Sequence, residues 1–321
     1  MDFADLFNNL GEHTVNGLSK GAIYALVALG YTLVYGVLRL INFAHSEVFM
    51  VGTWAVLGVY SMLGVTGASS GPMIALALVL GLVAAVVASA FTALMVDRIA
   101  YRPLRRKNAP PLIYLITAIG CSLVLVETFG YVLRQIFGAP FGRALISLPT
   151  LVPSKTLFTI GDTSISNIQL IVVFGALGMM LALDTFVNKT RMGRGVRAVA
   201  QDPDTAALMG VNKDRVIMLV FVLGGAMAGV AALLYELRFG ITKFDIGFLI
   251  GIKAFTAAVL GGIGNLRGAL VGGLALGVVE VYSSTLFSSN WEDVTAFVVL
   301  VVVLMFRPTG ILGESLGKAR A

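Results

Sequence analysis

One cysteine in 321 residues, Cys121, leaves no intrachain disulfide, thiolate zinc cluster or Cys-Cys redox pair to be built. Histidine is almost as scarce. His13 and His45 are the only two, H-E-x-x-H is absent, and no Ser/His pair is positioned by spacing, which excludes the metal and nucleophile constellations of an intramembrane protease. Nothing in the chain calls for a metal or a cofactor. No G-x-x-x-x-G-K-S/T phosphate loop occurs. The glycines of "LGGIGNLRG" miss the G-x-G-x-x-G spacing of a dinucleotide fingerprint and follow no soluble strand, so helix packing is their role. Charge is thin as well, at 12% of residues against 58% hydrophobic, and there is no Pro/Ser-rich linker to divide a two-domain soluble protein.

What the chain does have is apolar runs of about 16 to 25 residues separated by short polar joints, the pattern of a polytopic helical membrane protein. The expected fold class is all-α, with about nine spans (eight to ten) in one integral membrane domain covering 1–321. The spans fall at about 14–38, 45–64, 73–95, 112–136, 166–187, 214–239, 245–262, 266–287 and 292–306. Gly225/Gly229, Gly268/Gly272 and Gly273/Gly277 stand at the four-residue spacing that lets helix backbones approach closely, so the helices carrying them are expected in the interior.

The net charge of +6 comes from basic residues clustered in two joints, not interleaved with aromatics as for a nucleic acid, and nucleic acid is not an expected partner. Arg98, Arg102, Arg105, Arg106 and Lys107 occupy the first; Lys189, Arg191, Arg194, Arg197, Lys213 and Arg215 occupy the second. Placing both in the cytoplasm puts the N-terminus outside and the C-terminus inside, which an odd number of spans permits. Residues 1–13 lack a signal peptide's basic region and read as an acidic amphipathic helix on the outer surface, with Phe3, Leu6, Phe7 and Leu10 on one face. Residues 138–165 form an extracytoplasmic loop, in which "TLFTIGDTSIS" predicts a small hairpin with a Gly-Asp turn.

Polar residues interrupt the apolar pattern in "YGVLRLINFAHSEVFMVGTW", where Arg39, Asn42, His45 and Glu47 stand between two spans. Val48 to Leu63 alone is about 24 Å of helix against a hydrocarbon core of about 30 Å, so the second span begins near His45 and Glu47 or starts below the surface. Gly36 is expected to end the preceding helix and Asn42 to cap the next. Two readings stay open: an ordinary cytoplasmic turn, or a helix break at membrane depth, where irregular backbone survives only inside protein or beside a cavity. A second candidate break lies at 261–268.

Glu127, Asp184, Glu236, Lys253 and Glu280 fall within spans, where ionisable residues face a partner, a bundle interior or a translocation path. Asp184 and Glu236 are near enough to span ends to snorkel. Lys253 and Glu280 are expected deepest, as a neutralising pair, as path residues or at a subunit interface. Within the second basic joint, 188–214, Asp202 is an N-cap, Pro203 a first helical residue, Asp204 suits the positive helix end and Gly210 a left-handed stop. The helix so defined has about two turns. It is too short to be stable alone, and its face of Ala206, Ala207, Leu208 and Met209 suits docking on another protein or lying on the membrane surface.

Four stretches, "YGVLRLINFAHSEVFMVG", "RMGRGVRAVAQDPDTAALMGVN", "KAFTAAVLGGIGNLRGALVGG" and "RPTGILG", together resemble the permease subunits of bacterial branched-chain amino-acid ABC importers, of the LivH type, over nearly the whole chain. The resemblance implies a translocation subunit rather than an enzyme, moving branched-chain or related neutral amino acids across the bacterial plasma membrane. It implies a homologous second permease subunit, two cytoplasmic ATPase subunits and an extracytoplasmic amino-acid-binding protein as partners. Asp202, Asp204, Ala206, Ala207 and Gly210 lie in what is similar to the family's ATPase coupling loop, with Asp204 where Glu is usual. Asn42, His45, Glu47, Lys253 and Glu280 are the candidate path residues, although Ser46 departs from the usual His-Gly-Glu. The alternatives are an ion-coupled carrier with Lys253, Glu280 and Glu127 as a relay, and an ABC permease for urea or short amides.

Overall fold

In a bilayer every backbone amide must find its partner within the protein, and helices satisfy that requirement one by one. The computed structural model describes residues 3–138, 143–161 and 163–313. A short α1 (Phe3–Asn8) precedes α2 (Leu10–Leu38), α3 (His45–Leu63) and α4 (Gly71–Val96), which continues through a π-helical turn at Asp97–Tyr101 into α5 (Arg102–Arg106). Next come α6 (Pro111–Phe137), the strands β1 (Ile146–Ser147), β2 (Thr156–Ile160) and β3 (Thr163–Ser166), and α7 (Asn167–Lys189). Then follow α8 (Arg191–Gln201), α9 (Pro203–Leu208), α10 (Lys213–Phe239), β4 (Ile241–Thr242), α11 (Ile246–Gly261), α12 (Leu266–Phe287) and α13 (Glu292–Phe306). Among the described residues eight helical segments are long and apolar enough to cross a membrane, the last of them Ser289–Phe306, where a 3-10 turn runs into α13, and α11 is a shorter apolar ninth. The predicted spans match these helices to within a few residues. The hairpin expected in the 138–165 loop forms as β2 and β3, paired antiparallel.

The chain gathers into two compact units, one of Met1–Gly36, Ser154–Thr185 and Ile252–Ala321, the other of Val37–Pro153 and Phe186–Gly251. In the first, α2 and α12 meet along glycines. A Cβ on Gly277 would stand 2.4 Å from the backbone of Gly17 and Gly21, and one on Gly273 would stand 2.6 Å from Ala25. Gly272 faces the Ala257 carbonyl of α11 as closely. The tail after α13 folds back on the α11 end: the Ile311 amide donates to the Leu260 carbonyl (2.8 Å), Leu312 to Gly261 (3.0 Å), and the Asn265 carboxamide to the Leu312 carbonyl (2.8 Å). Two stretches far apart in sequence, "LGGIGN" and "RPTGILG", are thus one clasp.

Gly310 sits at φ 79°, and a Cβ there would lie 2.4 Å from the Gly262 amide nitrogen. Gly310→Ala is therefore expected to cost at least about 1 kcal/mol from the left-handed backbone alone. It should lower the unfolding temperature and expose the tail to protease; an unchanged cleavage pattern would show that the tail does not brace the turn.

In the second unit α4 lies against both α3 and α10. Gly225 and Gly229 of α10 admit the backbone of Ala90 and Ala85, and Gly52 of α3 admits Ser89 and Ala232. The α10 chain ends at Gly240 (φ 63°) and runs back along α3: Thr242 shares a 2.7 Å hydrogen bond with Thr53, and Gly247 packs on the Ser46 carbonyl. The first residues of α11 thereby lie beside the first turn of α3.

Three local expectations need correction. Gly36 does not end the first span; α2 continues to Leu38, and the turn is made by Arg39 at φ 55°. Asn42 does not cap α3, whose N-cap is Ala44 without a side-chain bond, because the Asn42 carboxamide is engaged elsewhere. The amphipathic stretch 1–13, whose first two residues lie outside the described ones, is not one helix: α1 stops at Asn8 and Leu10 already belongs to α2, and Leu6 is buried where Phe7 and Leu10 are exposed.

Candidate functional site

The loop between α7 and α10 is built by side chains that close each helix end. Thr190 caps α8 by accepting from the Gly193 amide (2.9 Å), and Gly193 is pressed against the Phe186 and Val187 carbonyls where no Cβ fits. Asp202 ends α8 and caps α9, its Oδ1 accepting from the amides of Asp204 (2.9 Å) and Thr205 (3.0 Å) while Oδ2 accepts from the Thr205 hydroxyl (2.6 Å). Pro203 fills the first helical position and Gly210, at φ 86°, closes the far end, where the Val211 amide donates to the Ala206 carbonyl. Asp204 pairs with Lys213 at 3.0 Å. The Thr205 hydroxyl first, then the two amides, hold the Asp202 carboxyl below the usual carboxylate range. The cap is consequently intact at neutral pH and is lost as pH falls through that lowered value.

One expectation for this loop fails. Ala206 is not on the presented face; it is buried, in a helix that packs on α8 and α10. Ala207 is exposed, and the large apolar groups offered to solvent are Leu208 and Met209, 88% and 80% exposed. A six-residue helix anchored at both ends must turn some of its residues inward, and Ala206 is small enough to go there.

The turn between α2 and α3 is the second constellation, in the other part of the same unit. Tyr101, wholly buried, donates to the Asn42 carboxamide oxygen (3.0 Å), and Ser46 donates to the Phe43 carbonyl (2.7 Å). The Ser46 departure thus supplies a turn-closing hydroxyl, and α3 runs through it unbroken. Glu47 is fully buried; its Oε1 accepts from Ser122 of α6 (3.0 Å) and faces the Ser46 hydroxyl (3.2 Å), and its Oε2 has no hydrogen-bond partner among the described residues. His45 is buried beside it in sequence, at 1% exposure. Asn42, His45 and Glu47 therefore share one buried turn.

Lys253 and Glu280 belong to the first unit, where their side chains pair with each other. They are part of a larger cluster in which Lys253 also faces Asp293 (2.6 Å) and Glu292 (3.4 Å), and Lys20 pairs with Glu292 and faces Glu280 (3.6 Å). Lys20, Glu292 and Asp293 escaped the sequence reading, though a lysine inside the first apolar run was signal enough. Glu127 is exposed with Arg143 at 3.2 Å, and Asp184 pairs with Arg267 at 3.2 Å. Glu236 does not snorkel as expected: it is 4% exposed.

Residues 13–304 match the family model described as "Branched-chain amino acid transport system / permease component". The chain is 42% identical over 308 residues to the high-affinity branched-chain amino acid transport system permease protein BraD of Pseudomonas aeruginosa, covering 94% of this chain and 95% of that one. It is 41% identical over 306 residues to LivH of Escherichia coli, with the same coverage, and 43% identical over 309 residues to LivH of Salmonella typhimurium. With the membrane helices, the capped loop and these matches over nearly its full length, the chain belongs to the family of branched-chain amino acid transport system permease components.

Proposed function

We propose that this chain is a translocation subunit of an ATP-driven importer of branched-chain amino acids in the bacterial plasma membrane, with its N-terminus outside and its C-terminus in the cytoplasm. The observation that carries the reading is the short α9, capped by Asp202 and closed by Gly210, which holds Leu208 and Met209 out to solvent in a chain that has no phosphate loop of its own. ATP is hydrolysed on two cytoplasmic ATPase subunits that dock there; a homologous permease subunit and an extracytoplasmic amino-acid-binding protein complete the assembly. Asp202, Asp204 and Gly210 set the geometry of the docking helix, and Ala206 anchors it from inside. Closure of the ATPases moves α9 and rocks the helices bundled with it. A photo-crosslinker placed at Leu208 is expected to capture an ATPase subunit in the complex purified in mild detergent. Capture of lipid alone would remove the docking assignment.

Asn42, in the turn before α3, and His45 and Glu47, in its first turn, are assigned to the translocation path, as polar groups kept inside protein. Lys253 and Glu280, occupied by each other and by Lys20, are assigned the bracing of α11 against α12. Glu47→Gln and His45→Ala are expected to lower uptake about tenfold without loss of assembly. Wild-type uptake by both would make the stretch an ordinary turn.

A further inference from the structure

Among the described residues, most buried or half-buried carboxylates have a cation or a hydroxyl beside them: Asp97 has Arg105, Asp184 has Arg267, Glu47 has Ser122 and Glu280 has Lys253. Glu236 is the exception. It is 4% exposed near the C-terminal end of α10, and neither carboxylate oxygen has a hydrogen-bond partner. Two buried donors of α3 share that condition, the Tyr60 hydroxyl and the Trp54 indole N–H. Tyr60 of α3 and Leu233 of α10 meet at one point, where a Cβ on Gly81 would stand 3.3 Å and 3.9 Å from them, and Glu236 lies on the same side of α10 as Leu233, three residues on. Tyr60, Trp54, Leu233 and Leu237 belong to one apolar cluster of this unit, and the Tyr235 ring packs on Phe239 at 4.7 Å and on Phe49 at 5.6 Å. The adjacent cation, Arg238, sits over the Phe239 ring at 5.8 Å.

A carboxylate held in the interior of a membrane bundle, with acceptor capacity unused, marks a place where a cation comes and goes. The surroundings select the kind. An inorganic cation needs about six oxygen ligands, whereas the Glu236 carboxylate and the Tyr60 hydroxyl together offer three, and the cluster that holds Tyr60 and Leu233 is apolar. A primary ammonium group needs a few acceptors for its N–H bonds and gains from aromatic faces around its charge. We propose that Glu236, with Tyr60, forms a recognition site for the ammonium group of the amino acid cargo at the C-terminal ends of α3 and α10. This rests on the transport reading above and adds to it a residue that discriminates amino acids from their non-ammonium analogues.

The test is leucine uptake by the full complex in proteoliposomes, with leucine delivered by its binding protein, for wild type, Glu236→Gln, Glu236→Asp and Glu236→Leu. Uptake is expected to fall tenfold or more in the Gln and Leu variants and less in Asp. Glu236→Leu should melt no lower than wild type, because a leucine suits that apolar surrounding, so a loss of uptake there is not a loss of fold. Replacing inorganic monovalent cations by N-methylglucamine should leave wild-type uptake unchanged. Wild-type rates in Glu236→Leu would overturn the proposal, as would loss of assembly in both Gln and Leu variants, which makes the role structural. A tenfold fall of wild-type uptake in N-methylglucamine would also overturn it, in favour of an inorganic ion. Failure of the wild-type complex to carry leucine at all shows itself before any variant is made; it removes the transport reading and this site with it.

Discussion

Replacing Leu208 and Met209 together by glutamate is expected to strip the ATPase subunits from the complex while the permease inserts at normal levels. Both side chains are almost fully exposed outside the spans, so the substitutions cost the permease itself little. At an interface each is an apolar anchor, and truncating an anchor costs about 2 kcal/mol, so the pair should raise the dissociation constant by about three orders of magnitude. Charged residues in place of apolar ones also bring unpaired charge into the contact. Gly210→Val approaches the same end from the backbone, by denying the left-handed stop at φ 86° and misaiming the helix. Ala206→Glu is a poor test of docking, since the buried position would carry the damage into the loop. Retention of the ATPases by the double glutamate variant would place their docking surface elsewhere.

Gly277→Leu is expected to destroy the first unit. The atoms that a Cβ would meet at 2.4 Å are the carbonyl of Gly17 and the backbone of Gly21, so no rotamer change relieves the clash and α12 must leave α2. Overpacking of a well-packed core costs about 1 to 3 kcal/mol, and a backbone that cannot yield lies beyond that range. The separation would also pull apart Lys20 and Glu280, leaving charge unpaired in the interior. The expected readout is near-complete loss of folded protein in membranes, with Gly277→Ala, which sets the same Cβ against the same backbone, strongly reduced as well. A normal yield of Gly277→Leu, with an unchanged melting temperature, would mean that the seam is not where the helices are held.

The span positions were readable because crossing a bilayer is a one-dimensional requirement: enough apolar residues in a row, then a polar joint. The α9 cap and stop were readable for a related reason, since Asp202, Pro203 and Gly210 act on neighbours within three residues. What escaped involves partners far along the chain. Lys20 meets Glu292 from 272 residues away, and the "RPTGILG" tail closes on Gly261 and Gly262, which no local pattern announces. Ala206 was placed on the wrong side because periodicity alone does not tell which side of a two-turn helix its own loop will cover. Asn42 looks like a helix cap in sequence, yet Tyr101 takes its carboxamide and the turn is made instead by Arg39 in a left-handed conformation. Glu236 looked free to reach the surface, and only packing shows that it does not.

The most direct test of the central claim is leucine uptake into sealed proteoliposomes holding the whole complex, with ATP available to the ATPase side, or with a pH gradient imposed and no ATP. Uptake that requires ATP, ignores the gradient and is abolished by the Leu208 and Met209 double glutamate variant is the predicted result. Uptake that follows the pH gradient without ATP would contradict the account and make the chain an ion-coupled carrier.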